Sequence, residues 1–244
     1  LTKQIKEKSF HKVYLLTGDE PYLVLQAKHM LKNAMIKEGD TMNYAAFTDG
    51  KIDLNTLQEL AFTYPFFSEK RLLLLDGTGI LKTGKDEFVS IMENMPETTC
   101  IIVCEPEVDK RSKVYKWIKK NGYVGEFLKK NQTEKVLLRW IAALLGKEKK
   151  QIRENNARYF LQKTGDDMFQ IKNEIDKLIA YAGDREEITQ ADIDAVDTRH
   201  DRIEGNVEQT VVAPDLKGRE REEEADEPAD VRFRDRQNVP VEEL

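Results

Sequence analysis

The sequence predicts an α/β domain with a parallel sheet, followed by a small all-α helical domain. In the first half of the chain, short apolar segments alternate with amphipathic helical segments, which is typical of parallel βαβ units with helices on both faces. After residue 128, apolar residues recur at helical spacing only, so we expect helices there and no further strands. The chain has 244 residues, enough for one or two domains.

Five short apolar segments predict the strands of the sheet. They cover residues 13–16, 43–47, 71–75, 99–104 and 123–127. The run from Cys100 to Cys104 is uniformly apolar. A parallel strand that is buried on both faces has this pattern, so we expect the fourth strand at the centre of the sheet.

Helices are predicted between these strands because apolar residues recur three and four positions apart. Asp19 is expected to cap the first helix, with Pro21 in its first turn. The other three helices are expected over residues 53–62, 85–95 and 112–120.

Four further helices are expected after residue 128, and together they predict a small bundle. Asn131 and Glu134 form a variant of the capping box at the start of the first of them. The predicted caps of the others are Gly165, Asp166 or Asp167, Gly183 and Thr189.

The net charge of −6 is unevenly distributed along the chain. Residues 201–244 contain 7 Lys and Arg against 14 Asp and Glu, whereas residues 1–200 contain 32 and 31. We therefore expect an α/β domain over residues 1–128, a helical domain over 129–198 and an acidic, disordered tail over 199–244. The near-neutral body argues neither for nor against nucleic-acid binding.

Composition argues against a membrane protein and against a disulfide-stabilised one. No apolar run approaches the roughly 20 residues that a spanning helix needs. Residues 1–11 lack the apolar stretch of a signal peptide. Cys100 and Cys104 are the only cysteines, which fits a reducing cytosol, so we expect a cytoplasmic protein.

An α/β sheet followed by a small helical domain resembles the ATPase modules of the AAA+ class. Such a module needs a glycine-rich loop ending in Gly-Lys-Ser/Thr after its first strand, because that loop holds the phosphates and magnesium. The residues from Thr17 to Leu23 here have one glycine, no lysine and two carboxylates. We therefore expect no nucleotide at this loop, and the sequence indicates no other cofactor.

A second loop, from Gly79 to Lys85, fits the spacing GxxxxGK and leaves a P-loop ATPase as an alternative. This loop follows the third strand rather than the first. Asp86 also stands where magnesium binding requires Ser or Thr. A surface turn with two glycines explains the same residues.

No catalytic or metal-ligating group of residues stands out in the sequence. Cys100 and Cys104 share one face of a strand, but a zinc site would need two more ligands at suitable spacing. The three histidines are scattered, and the chain contains no Gly-x-Ser-x-Gly. We expect no catalytic residue and no metal site.

Residues 64–67, which we call the aromatic turn, form the most unusual segment: Tyr64, Pro65, Phe66 and Phe67. Pro65 ends the preceding helix and leaves two adjacent phenylalanines in a turn. In one interpretation, one ring packs under the sheet and the other covers a helix end. In the other, both rings form an exposed apolar contact for a protein partner.

A basic segment from Lys110 to Lys120 includes Arg111, Lys113 and an aromatic residue, Trp117. It could contact phosphates, so a DNA-binding module is a further alternative. A solvated lysine face with Trp117 packed inward explains the same pattern.

Four segments, in order, resemble the family of the bacterial DNA polymerase III delta subunit, a clamp-loader component. They are VYLLTGDEPYL at residues 13–23, PFFSEKRL at 65–72, DKRSKVYK at 109–116 and NEIDKL at 173–178, the last followed by Tyr181-Ala182-Gly183 and Ile188-Thr189. The resemblance covers about residues 10–196.

The resemblance implies an AAA+-like fold without a working ATP site, and so a non-catalytic subunit of the polymerase III holoenzyme. It implies binding to the beta sliding clamp, which the family helps to open for loading onto primed DNA. The implied partners include the other loader subunits, tau/gamma and delta prime. In the family two apolar residues enter a pocket of the clamp. They correspond here to Phe66 and Phe67, with Pro65 and Tyr64 beside them.

Lys110, Arg111 and Lys113 of the basic segment are candidate contacts to DNA or to another subunit. The resemblance to the family ends near Val196. The family continues with a third helical domain that forms a collar, which the acidic tail does not match. The change from Lys to Arg usage in the tail indicates a frameshift, a fusion or vector-encoded residues. We therefore expect clamp binding by this chain, while assembly into the loader is not implied.

Overall fold

A five-stranded parallel sheet forms the centre of the first part of the chain. The computed structural model describes residues 1–48, 50, 52–83 and 85–196, with the main chain alone at 83 and 85. The strands are β1 (Val13–Thr17), β2 (Tyr44–Thr48), β3 (Arg71–Asp76), β4 (Thr99–Glu105) and β5 (Tyr123–Glu126). The described residues form two compact units, 1–140 and 141–196. The predicted disordered tail, 199–244, lies outside the described residues.

The strand order β2-β3-β4-β1-β5 confirms the predicted parallel α/β fold. β4 lies at the centre and is buried along its whole length, as its apolar run predicts. The register places Leu73 between Ala45 of β2 and Ile101 of β4. All five strands therefore begin at one edge of the sheet, the amino edge, and end at the opposite carboxyl edge.

Helices cover both faces of this sheet. In chain order they are α1 (Thr2–Lys6), α2 (Pro21–Met35), α3 (Leu54–Phe62), α4 (Ile80–Thr83), α5 (Lys85–Asn94) and α6 (Lys113–Asn121). α2 packs through Ala27 and Leu31 against one face. The other face packs against side chains of α3, α5 and α6, such as Leu57, Phe88 and Ile118. Two buried apolar layers thus fix the sheet between the helices.

Most predicted helix starts are confirmed. Asp53 and Ser112 cap α3 and α6, each accepting a main-chain N–H in the first turn. Asp19 is one exception, because Glu20 caps α2 by accepting the N–H of Tyr22. The Asp19 carboxylate instead accepts the N–H of Lys129, 2.8 Å away.

The second unit is mainly helical, as predicted. The remaining helices are α7 (Glu134–Lys147), which begins in the first unit, α8 (Glu154–Thr164), α9 (Met168–Ala182) and a helical segment over residues 190–196. Asp167 caps α9, and Thr189 accepts the N–H of Asp192 in the last segment. At the start of α7, Thr133 rather than the predicted Asn131 accepts an N–H, that of Val136.

The expectation that strands end after residue 128 is wrong in one detail. β6 (Gln151–Ile152) pairs in parallel with β7 (Glu187–Ile188). Each strand has two residues, too few for the alternating pattern by which a strand is recognised. Ile188 is fully buried and is paired with Ile152. Among the described residues, no helix combines the length and apolar character needed to cross a membrane.

Candidate functional site

The aromatic turn lies between the end of α3 and the start of β3, at the amino edge of the sheet. α3 packs through Leu57 and Ala61 and ends at Phe62, where the hydroxyl of Thr63 donates to the Glu59 carbonyl oxygen. Pro65 follows and cannot continue a helix. The position of the turn is therefore set by a buried helix on one side and a buried strand on the other.

Both phenylalanine rings of the aromatic turn are exposed. Phe67 is 91% exposed, Tyr64 71% and Phe66 57%. The interpretation in which one ring packs under the sheet is therefore wrong. Exposed aromatic side chains gain hydrophobic stabilisation only when another surface covers them, so this cluster has the character of a contact site.

The two rings support each other. Their centroids are 4.5 Å apart and their planes meet at 77°, the edge-to-face geometry that aromatic pairs prefer. Phe67 has φ +50°, in the left-handed region that a bulky residue rarely adopts. Such a conformation costs about 1–2 kcal/mol relative to an ordinary one, and it persists only where the surroundings hold it.

Asn43, just before β2, holds the main chain of the aromatic turn. Its side-chain oxygen accepts the N–H of Phe66 at 2.6 Å, and its side-chain nitrogen donates to the Phe66 carbonyl oxygen at 2.9 Å. The same nitrogen donates to Asp40 at 2.8 Å. The other Asp40 oxygen accepts the N–H groups of Met42 and Asn43. The hydrogen bonds from Asn43 lower the pKa of the Asp40 carboxyl.

Sequence reasoning missed Asn43 and Asp40. The predicted second strand included Asn43 as its first residue. The only local signal is an aspartate three residues before an asparagine, a pattern in which a carboxylate accepts nearby main-chain N–H groups. Nothing in that pattern indicates a bond to a residue 23 positions further along the chain.

The loop after β1, where a nucleotide-binding module holds phosphates, is closed by the chain itself. The N–H of Gly18 donates to the Pro106 carbonyl oxygen at 3.3 Å, and that of Glu20 donates to Phe127 at 3.2 Å. The N–H of Tyr22 donates to the Glu20 carboxylate. These three donors of the loop are therefore already satisfied where a phosphate cradle needs free N–H groups.

The alternative phosphate loop, Gly79 to Lys85, also forms a hydrogen bond with another part of the chain. The N–H of Gly79 donates to the Glu105 carboxylate at 2.7 Å. Burial raises the pKa of Glu105. Gly84 and the side chain of Lys85 lie outside the described residues. The Glu105 carboxylate accepts the Gly79 N–H that a phosphate oxygen would otherwise accept. This hydrogen bond argues against the P-loop alternative.

The basic residues singled out for DNA contact each face a carboxylate. Lys110 lies 2.6 Å from Glu126. Arg111 lies 3.2 Å from Asp109, and Lys113 lies 2.9 Å from Asp86. Exposed pairs of this kind add little to stability, but they reduce the positive potential available to a phosphate. The structure therefore does not favour the DNA-binding alternative at this segment.

The two cysteines are buried on β4. Burial raises the pKa of Cys100 and of Cys104 to about 12, so both are thiols at neutral pH. Within the described ranges, no group of three or more His, Cys, Asp and Glu side chains could hold a metal ion.

Part of the chain matches a known protein family. Residues 14–127 match the family model described as DNA polymerase III, delta subunit. Over that part, which is a little under half of its length, the chain is similar to the DNA polymerase III delta-subunit family. The matched segment begins in β1 and ends just after β5, and it includes the aromatic turn. The resemblance to that family is thus confirmed, and the matched range includes the second and third of the four segments and nearly all of the first.

Two curated relatives carry delta-subunit names. The DNA polymerase III subunit delta of Bacillus subtilis (strain 168) is 29% identical over 203 residues, covering 78% of this chain and 58% of the relative. The probable DNA polymerase III subunit delta of Aquifex aeolicus (strain VF5) is 25% identical over 205 residues, covering 80% and 56%. The chain therefore spans less than three fifths of the length of either relative.

The fold is similar to that of a solved structure. It is the Bacillus subtilis DNA clamp loader delta protein (YqeN), which matches with a TM-score of 0.56 and 23% sequence identity. The match covers 80% of this chain and 60% of that chain. It supports the α/β fold described above.

Proposed function

We propose that this chain is a non-catalytic clamp-loader subunit that binds the beta sliding clamp through the aromatic turn. The observation that carries the proposal is the exposure of Phe66 and Phe67 on a turn held between a buried helix and a buried strand. Clustered aromatic residues of this kind form the centres of protein interfaces, where a few side chains supply most of the affinity. Tyr64 and Pro65 lie beside them and enlarge the apolar surface.

In this proposal the chain helps to open the clamp so that the ring can be placed on primed DNA. Inserted side chains favour an open clamp only if they bind that state more tightly than the closed one. The other loader subunits, tau/gamma and delta prime, are the proposed partners in the cytoplasm. DNA is then contacted through the assembled loader.

A binding measurement with purified beta clamp tests the proposal. The 244-residue chain is immobilised, and clamp affinity is compared with that of the variant Phe66→Ala/Phe67→Ala. We expect a loss of about 30-fold or more, as for the removal of central interface residues. Phe169→Ala is the matched control, because it removes a partly exposed phenylalanine of the second unit and should leave affinity unchanged.

Three results would contradict the proposal. The first is no clamp binding by the unaltered chain, and the second is unchanged binding by the double variant. The third is tight magnesium-dependent ATP binding, which would favour the P-loop alternative at Gly79 to Lys85. A clamp with a fluorophore pair across one subunit interface tests opening separately, because only the unaltered chain should increase the distance between the two labels.

A further inference from the structure

Asn43 connects three parts of the first unit through its side chain and its main chain. Its side-chain amide forms hydrogen bonds with both the N–H and the carbonyl oxygen of Phe66, and the amide nitrogen also donates to Asp40. Its own carbonyl oxygen accepts the N–H of Leu72, the second residue of β3. Asn43 is only 2% exposed, so these contacts lie beneath the surface on which the phenylalanine rings stand.

The chemistry at this position requires an amide. The Phe66 N–H needs an acceptor and the Phe66 carbonyl oxygen needs a donor, and the planar amide of Asn43 presents both. Aspartate has no donor when ionised, and it would face the carboxylate of Asp40. Alanine would leave both groups of Phe66 without their present partner, which is costly for a buried polar group.

We infer that Asn43 is a positioning residue that holds the aromatic turn in its clamp-binding conformation, with Asp40 fixing the orientation of the Asn43 amide. This inference rests on the proposed function. Phe67 has a left-handed conformation that the chain does not favour by itself, so its direction depends on the main-chain bonds of its neighbour Phe66. Holding the turn before binding reduces the ordering that the clamp would otherwise have to impose.

The first measurement needs no clamp. Chymotrypsin cuts after aromatic residues in segments that open, and mass spectrometry locates the cut within residues 64–67. We expect Asn43→Ala to speed cleavage there about tenfold or more, since two hydrogen bonds to the turn are lost. Asn94→Ala is the matched control. It removes an exposed hydrogen bond from the Asn94 side-chain amide to the Ser90 carbonyl oxygen on α5, and it should leave the cleavage rate unchanged.

The second measurement is clamp affinity of the full chain. We expect Asn43→Ala to weaken binding about tenfold, and to weaken it less in a Phe67→Ala background, because residues that act through each other are not additive. Asp40→Ala should change both measurements in the same direction by a smaller factor, and it replaces Asn43→Ala if that variant does not fold. Equal effects of Asn43→Ala in both backgrounds would overturn the inference.

Exchange of the two polar residues tests the role of the pair. Asn43→Asp alone places two carboxylates in contact, and we expect it to weaken binding strongly. The double exchange Asp40→Asn/Asn43→Asp removes the contact between two carboxylates but still lacks a donor for the Phe66 carbonyl oxygen, so it should bind more tightly than Asn43→Asp and less tightly than the unaltered chain. No recovery, in a variant whose thermal unfolding matches the unaltered chain, would overturn the assignment of Asp40.

The outcomes separate this inference from the proposed function. If Asn43→Ala speeds cleavage but clamp affinity falls only with Phe66→Ala/Phe67→Ala, Asn43 holds the turn without positioning it for the clamp. The inference is then wrong while the proposed function stands. If the unaltered chain does not bind the clamp, both are wrong.

Discussion

Gly18 lies so close to Phe127 that a Cβ atom added at Gly18 would be 1.8 Å from the Phe127 carbonyl oxygen. Gly18 also has φ +129°, a conformation open to glycine alone. The loop after β1 is therefore fixed against the end of β5 by a contact that no other residue permits. This contact occupies the region in which a nucleotide-binding module has its phosphate loop.

Gly18→Ala is expected to lower the free energy of unfolding by about 2–4 kcal/mol, since neither neighbouring main chain can move without breaking strand pairing. Urea denaturation measures the loss. Gly39→Ala is the control, because Gly39 has φ +78° but no atom within 4 Å of an added Cβ. It should cost only about 1 kcal/mol of backbone strain. Similar losses in the two variants would contradict the close contact.

The exposed phenylalanine should contribute little to stability. Phe67→Ala is expected to change the free energy of unfolding by less than about 0.5 kcal/mol, as for most surface substitutions. Phe88→Ala, at a fully buried ring of α5, should cost about 3–5 kcal/mol.

The left-handed conformation of Phe67 adds a finer test. Because glycine adopts this conformation freely, Phe67→Gly should be more stable than Phe67→Ala by about 1 kcal/mol. Thermal unfolding of the two variants side by side measures the difference. An alanine variant that is the more stable would mean that the left-handed turn is not retained.

Asp40 should make the free energy of unfolding depend on pH. Its pKa is lowered in the folded chain, chiefly by the Asn43 side chain, so its ionised form stabilises the fold above the ordinary carboxyl range. That contribution is lost as the pH falls through the lowered pKa. The stability difference between the unaltered chain and Asp40→Asn should therefore be largest at neutral pH and shrink on acidification. Unfolding curves between pH 7 and 3 measure this difference, with Asp184→Asn as an exposed control in the second unit.

Glu105 should show the opposite dependence. Burial raises its pKa, so its charged form is disfavoured in the folded chain. Glu105→Gln keeps an acceptor for the Gly79 N–H and removes that charge. Relative to the unaltered chain, the variant should gain stability as the pH rises through the raised pKa. Unfolding temperatures at pH 5 and 8 measure the gain, and the exposed Glu107→Gln should show none. A variant that loses stability between these values would contradict the buried charge.

The parallel sheet could be predicted from the sequence because strands buried on both faces are apolar over their whole length, as in Leu72–Leu75 and in Cys100–Cys104. The position of a helix cap could be predicted only to within one residue along the chain. Asp19 and Glu20 are both carboxylates at the start of α2, and the choice between them depends on Lys129, which is distant in sequence. Helices of four or five residues, such as α1 and α4, are too short to show a period.

The aromatic turn could be located from its sequence, but the exposure of its rings could not be derived. Two adjacent phenylalanines are compatible both with a turn whose rings are buried and with a turn whose rings are exposed. The structure distinguishes these possibilities through Asn43, whose bonds to Phe66 fix the main chain from outside the segment. Long-range polar contacts of this kind leave no periodic signal in a sequence.

The aromatic turn and the closed loops stand at opposite ends of the same strands. β3 has six residues, so the amino and carboxyl edges of the sheet are about 20 Å apart. Substitutions separated by that distance, with no shared partner, have additive effects. The two ends can therefore be engineered independently: the loops at Gly18 and Gly79 for stability, and the turn at Phe66 and Phe67 for choice of partner.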